Sequence, residues 1–192
     1  MQPITTITSK TIVLPQPNID TDQIIPARYL KLTDKHGLGR HVFADWRYRA
    51  DGSPNNEFPL NRPDARDAQI LVAGENFGSG SSREQAPWAL LDAGIRAVVS
   101  TRIADIFRGN AMRNGLLPII VDQATHDWLL NHGGATATID LPSRSLHIEG
   151  GPSALFPFDP FAAKCLIEGI DELDFLLSNA PRIDAYEVQQ QD

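Results

Sequence analysis

Residues 69–121 read QILVAGENFGSGSSREQAPWALLDAGIRAVVSTRIADIFRGNAMRNGLLPIIV. The segment opens with an apolar run of strand length, Gln69–Ala73, and passes through a turn rich in glycine and serine. It continues with helical character over Ser82–Ala93 and stops at Gly94, where a helix end takes a left-handed residue. The cycle then repeats. Arg96–Ser100 reads as a strand, Ile103, Ile106, Phe107, Ala111 and Met112 recur at helical spacing up to Gly115, and Leu117–Val121 reads as a third strand. Strands alternating with helical segments build parallel sheets through right-handed crossovers, so 69–121 is expected to be a parallel βαβαβ core and the chain an α/β protein.

On the N-terminal side, residues 7–14 (ITSKTIVL) form a β-branched run ending at Pro15. The turn-rich stretch NIDTDQIIPARYLKL follows over 18–32, broken by Pro26. From Thr33 to Asp67 no period is sustained, which suggests a long ordered loop or short helices. On the C-terminal side, Thr125 is placed to cap a helix running to about His132, and Gly133–Gly134 end it. Residues 135–141 and 145–150 look like a hairpin around Pro142–Arg144, and residues 160–188 read as helical with breaks at Gly169 and Pro181. The expected organisation is one domain over 1–192: an N-terminal strand and loop region (1–68), the core (69–121), and a hairpin with C-terminal helices (122–192).

The balance of 17 Lys+Arg against 24 Asp+Glu leaves a formal charge of −7, with no cationic surplus to hold a nucleic acid by counterion release. A single cysteine, Cys165, excludes an internal disulfide framework, a zinc ribbon or a thiolate-held iron–sulfur cluster built from this chain alone. It falls in a helical apolar pattern and reads as a small buried hydrophobe. His36, His41, His126, His132 and His147 show no metal-ligand spacing, so no metal site is assigned. The first twenty residues carry one basic side chain and three prolines, unlike a signal peptide or a membrane span, and a cytoplasmic protein is the expectation.

The chemistry is concentrated in Gly74–Gln85, GENFGSGSSREQ, which lies after a strand and before a helix, where open α/β sheets place ligands. It lacks the Gly-Lys-Ser/Thr ending of a P-loop, and Arg83 stands where a dinucleotide fingerprint needs its third glycine. Gly74, Gly78 and Gly80 allow close backbone approach, and Ser81, Ser82 and Arg83 add hydroxyls and a guanidinium, a set suited to a carboxylate. Each serine has a structural alternative, since Ser81 with Glu84 and Ser82 with Gln85 both spell a capping box. Arg83 is unfavourable beside a helix N-terminus and points to an anion opposite it. Pro87 argues for a later helix start, nearer Ala86.

The stretches NIDTDQIIPARYLK, GLGRHVFADWRY and FGSGSSREQAPWALLDAGIRAVVSTRIADIF together resemble, in that order, the swivelling domain of the aconitase superfamily, and within it the family of separate 3-isopropylmalate dehydratase small subunits. Members commonly have His where Gln85 stands and often Cys where Ser79 stands. The resemblance implies a swivelling β/β/α three-layer domain and a hydro-lyase active only with a large subunit, as a heterodimer or heterotetramer. That large subunit would carry a four-iron four-sulfur cluster, and this chain would bind no cofactor itself. The implied substrate is a small dicarboxylic hydroxy acid, and the implied reaction interconverts 2- and 3-isopropylmalate in leucine biosynthesis. By the same resemblance Ser81 is the base, Arg83 the carboxylate clamp, and Asp22 a support that orients a histidine of the large subunit. Ser82 and Gly80 contact substrate. Tyr29, Leu30 and Lys31 belong to a selectivity loop, in which Leu30 favours an alkyl substituent. Trp46, Tyr48 and Trp88 read as core or subunit-interface anchors. A related hydro-lyase acting on methylmalate or citraconate, dimethylmalate or homoaconitate is the near alternative. A non-catalytic module for carboxylate or phosphate is the distant one.

Overall fold

The computed structural model describes residues 2–30 and 36–189. In chain order the strands are β1 (Thr6–Leu14), β2 (Ile70–Ala73), β3 (Ala97–Ser100), β4 (Leu117–Ile120), β5 (Thr136–Asp140), β6 (Ser145–Ile148) and β7 (Ser153–Leu155). The helices are α1 (Thr21–Ile24), α2 (Ala44–Arg47), α3 (Gln85–Asp92), α4 (Asp105–Asn114), α5 (Gln123–Asn131), α6 (Pro160–Glu168), α7 (Glu172–Ser178) and α8 (Ala180–Gln189). All strands join one mixed sheet in the order β4-β3-β2-β1-β5-β6-β7. Its pivot is β1. Thr11–Leu14 pair in parallel with β2, whereas Thr6–Lys10 pair antiparallel with β5. The expected parallel β2-β3-β4 core is therefore joined through β1 to an antiparallel block.

The two central parallel strands, β2 and β3, are buried throughout, as strands covered on both faces require. Alternate residues serve two apolar layers. Leu71, Ala73 and Val98 pack with Ile24, Leu90 and Phe107 on one face, while Ile70, Val72, Val99 and Ile119 pack with Leu129 and Leu166 on the other. A large side chain buried there contributes about 1.5–3 kcal/mol.

Several details depart from the sequence reading. Helix α3 begins at Gln85, not at Ser82 and within one residue of the start that Pro87 argued for, so Pro87 falls in its first turn, where no intrahelical bond is lost. Asp122, not Thr125, caps α5, its carboxylate accepting from the Thr125 amide at 2.9 Å and hydroxyl at 2.8 Å. Pro181 does not break a helix; it lies in the first turn of α8. The hairpin gains a third strand, β7, paired with β6. Ile106, expected in the buried stripe of α4, is 56% exposed. Trp46 and Trp88 both pack against the core, and the Trp88 indole N–H donates to Asn114 at 2.7 Å. Among the described residues, no helix is long and apolar enough to cross a membrane.

Candidate active site

The glycine-rich loop leaves the sheet at the end of β2, and three hydrogen bonds fix that exit. The Gly74 amide donates to the Leu14 carbonyl at 2.9 Å, and the Ser100 hydroxyl donates to the Gly74 carbonyl at 2.9 Å. The buried His126 donates from Nε2 to the Ala73 carbonyl at 2.8 Å, a structural role for that ring. A Cβ on Gly74 would stand 2.3 Å from the Gln16 carbonyl oxygen, so only glycine lets the two chain segments cross there.

Phe77 then points into the core, edge-on to Phe107 with centroids 5.2 Å apart. Gly78, at φ +76°, lies so close over Phe107 that a Cβ would stand 2.3 Å from its ring. This anchor turns the next residues outward. Ser81 and Ser82 are exposed, and their hydroxyls bond to no described residue. The backbone N–H groups of Ser81, Ser82 and Arg83 likewise donate to no described carbonyl. Neither serine caps α3, whose N-cap is Glu84 and lacks a side-chain cap, so the capping-box readings fall away.

Helix α1 is the second half of the site. Asp20 and Gln23 cap it reciprocally, with Asp20 Oδ1 accepting from the Gln23 amide at 2.7 Å and Gln23 Oε1 accepting from the Asp20 amide at 2.9 Å. This fixes Asp20 in a structural role and leaves Asp22 on the outer side. Arg83 Nη2 donates to Asp22 Oδ2 at 2.8 Å, and Nη1 lies 2.5 Å from Oδ1 without hydrogen-bond alignment. The anion anticipated opposite Arg83 is thus, in the isolated chain, a carboxylate of its own.

Sequence reading missed Thr21. Its amide donates to the Ser79 carbonyl at 2.9 Å and its hydroxyl to the Ser81 carbonyl at 2.9 Å, so one buried residue pins both ends of the Ser79–Ser81 turn. The only local signal is a hydroxyl residue between two aspartates. The structure therefore brings Asp22, Gly80, Ser81, Ser82 and Arg83 together. Tyr29 stands apart, stacked on His41 at 3.9 Å and lining a cavity of about 670 Å3, and Leu30 packs half-buried against the core. Lys31 lies outside the described residues. Among the described residues no cluster of His, Cys, Asp or Glu could hold a metal ion.

A mixed sheet entered by a glycine-serine loop that presents Ser81, Ser82 and Arg83 defines a swivelling domain of the aconitase class. The model of the family described as aconitase C-terminal domain matches residues 1–124. The chain is 58% identical over 187 residues to a 3-isopropylmalate dehydratase small subunit of Anaeromyxobacter dehalogenans, covering 97% of this chain and 98% of the relative. It is 52% identical over 191 residues to a protein of the same name from Chloroflexus aurantiacus, covering 97% and 95% respectively. Among solved structures, a 3-isopropylmalate dehydratase from Methanocaldococcus jannaschii superposes with a TM-score of 0.70 at 29% identity, covering 95% of this chain and 99% of that one. The chain belongs to the 3-isopropylmalate dehydratase small-subunit family of the aconitase superfamily.

Proposed function

We propose that this chain is the small subunit of a 3-isopropylmalate dehydratase and works in the cytoplasm with a large subunit to interconvert 2- and 3-isopropylmalate. The reaction removes a proton from the carbon beside a carboxylate and a hydroxyl from its neighbour, then returns both in exchanged positions. The observation that carries the reading is the Ser81 hydroxyl, exposed and without a described partner, on a loop whose next charged group is the Arg83 guanidinium.

Ser81 takes the proton. A serine hydroxyl is a weak base in water, and its alkoxide needs positive potential and donors fixed in place beforehand. The free amides of Ser81, Ser82 and Arg83 and the charge of Arg83 supply them. Arg83 binds a substrate carboxylate through its planar fork, with Ser82 and the exposed backbone at Gly80 completing that contact. Asp22 holds the fork in place until a substrate carboxylate arrives, and in the complex it is also placed to orient a histidine of the large subunit. The Arg28–Leu32 segment, whose backbone follows α1, reads the γ-substituent.

Family membership fits a four-iron four-sulfur cluster that supplies the Lewis acid for the departing hydroxyl. One cysteine, buried on α6, does not fit a cluster ligand set, which supports a cluster held by the large subunit. The test mixes this chain anaerobically with an iron–sulfur dehydratase large subunit from the same source and follows the unsaturated acid formed from 3-isopropylmalate. Turnover only in the mixture is expected. No association and no turnover would overturn the reading.

A further inference from the structure

After α1 the chain bends at Pro26 into a single 3-10 turn, Ala27–Tyr29, closed by the Tyr29 amide on the Pro26 carbonyl at 2.9 Å and the Leu30 amide on the Ala27 carbonyl at 3.1 Å. So short a turn has little stability of its own, and its side chains must fix it. They do so in one row. Asp45 Oδ1 accepts from Arg28 Nη2 at 2.5 Å, and the Arg28 guanidinium lies 4.7 Å above the Tyr29 ring. The Tyr29 ring stacks on the His41 imidazole at 3.9 Å and 14°, and His41 Nε2 accepts from Arg40 Nε at 3.2 Å.

The two ends of the row differ in support. His41 sits on a 3-10 turn, Gly39–His41, whose Gly39 amide donates to Asp92 at the end of α3 at 2.7 Å. Asp45 lies on α2, and just before that helix the Phe43 amide donates to the Ile24 carbonyl of α1 at 2.8 Å. Both are braced on elements packed into the core; Tyr29 also packs half-buried against that core, whereas the exposed Arg28 is held only by its own turn and by the row. The row walls the cavity of about 670 Å3, which Tyr48 and Arg49 complete.

We propose that His41 and Asp45 are positioning residues that fix Arg28 and Tyr29, and that they thereby set which substituent on the hydroxy acid the enzyme accepts. The inference rests on the reading of the Arg28–Leu32 segment as the selectivity element. His41 acts as a flat, neutral ring: accepting from Arg40 requires an unprotonated Nε2, and burial with the charges of Arg40 and Arg28 lowers its pKa. Asp45 acts through Arg28. Because that ion pair is largely exposed, Asp45→Asn changes stability little and separates positioning from folding.

The experiment uses the assembled enzyme with His41→Ala, His41→Phe and Asp45→Asn small subunits. It measures kcat and KM for 3-isopropylmalate and for the analogue bearing methyl in place of isopropyl. In the isolated small subunits it measures hydrogen exchange of the Tyr29 and Leu30 amides. His41→Ala is expected to lower the isopropyl-over-methyl preference by about tenfold, through KM, with kcat held within about twofold. Asp45→Asn shifts the preference the same way by less, and His41→Phe, which keeps the ring, restores it. Exchange at both amides quickens in His41→Ala and not in His41→Phe.

An unchanged preference in Asp45→Asn and His41→Ala overturns the proposal, even where exchange quickens. Equal losses on both acids do so as well. If His41→Ala fails to assemble, Asp45→Asn decides alone. Failure of the wild-type complex to turn over either acid counts against the proposed function instead, and the exchange data still report whether His41 holds the turn.

Discussion

Asp22 and Arg83, 61 residues apart in the chain, face each other across the junction of α1 and the glycine loop, with Nη2 donating to Oδ2 at 2.8 Å. The pair fixes the guanidinium that is proposed to clamp a substrate carboxylate. Its carboxylate side is half exposed, so solvent screens it, and Asp22→Asn should cost less than about 1 kcal/mol of stability. In the assembled enzyme the same substitution should raise KM severalfold. Arg83→Lys should lower kcat/KM further, because an ammonium cannot reproduce the fork. Melting curves and steady-state rates check this. A large loss of Tm in Asp22→Asn would make the pair a structural clamp.

Ser81 and Ser82 are neighbours with different proposed work, and kinetics separates them. Ser81→Ala in the complex should reduce kcat by about 10²–10⁴-fold with little change in KM, the signature of a lost general base. Ser82→Ala should act mainly on KM. Turnover of wild-type size in Ser81→Ala would remove the base assignment.

The sheet was legible because its signals are local. Apolar runs such as Ile70–Ala73 and glycines such as Gly115, at φ +85°, declare strands and helix ends within a few residues. The start of α3 was legible only as a choice, because SSRE spells a capping box while Pro87 argues for a later start; the Thr21 hydroxyl, 60 residues upstream, holds the Ser81 carbonyl and decides it. No periodicity reports a contact of that range. Strand β7 is short and flanked by Pro152 and Pro157, so its three residues carry no pattern of their own. The candidate residues on the loop were legible from composition as a set of hydroxyls and a guanidinium, but the partner of Arg83 was not, because Asp22 reaches it only once β1 and β2 are paired.

Glycines at the loop and on α4 should respond in opposite directions. Gly78→Ala drives a methyl into Phe107 at positive φ, and should cost about 1–3 kcal/mol for overpacking, with a further 1–2 kcal/mol for the left-handed backbone. Gly80→Ala meets Asp20 Cβ at 3.4 Å and Thr21 Oγ1 at 3.6 Å, ordinary van der Waals contacts, and should show the backbone cost alone. Gly109, inside α4 with open space at its Cβ, should gain about 0.5–1 kcal/mol as alanine. Urea midpoints of the three variants test the order.

Acid should weaken the fold in two windows. His41, facing Arg40, Arg28, Tyr29 and Tyr48, with Asp45 beyond Arg28, has a lowered pKa through burial first and then the arginines. The unfolded chain therefore takes up that proton first, and stability falls as pH drops below about 6.5 until the folded ring also protonates. Asp122 and Asp140 are held low by hydrogen bonds from Thr125 and Ser143. Their contribution is present above about pH 4 and is lost as pH falls through their folded values. Urea titrations at several pH values should show both slopes. His41→Phe should remove the upper one and Asp122→Asn should reduce the lower.

Cys165 offers a test of the division of labour between subunits. Burial on α6 pushes its thiol pKa up, with the nearby carboxylates of Glu168 and Glu172 adding to the shift, so at neutral pH it is protonated and a poor nucleophile or metal ligand. Iodoacetamide should label the folded chain at least about tenfold more slowly than the urea-unfolded one. On the proposed division, in which the large subunit supplies every cluster thiolate, Cys165→Ser should keep full iron content and turnover in the reconstituted complex. Loss of iron in that variant, with the fold intact by circular dichroism, would place a cluster ligand on α6 and move the metal chemistry into the small subunit.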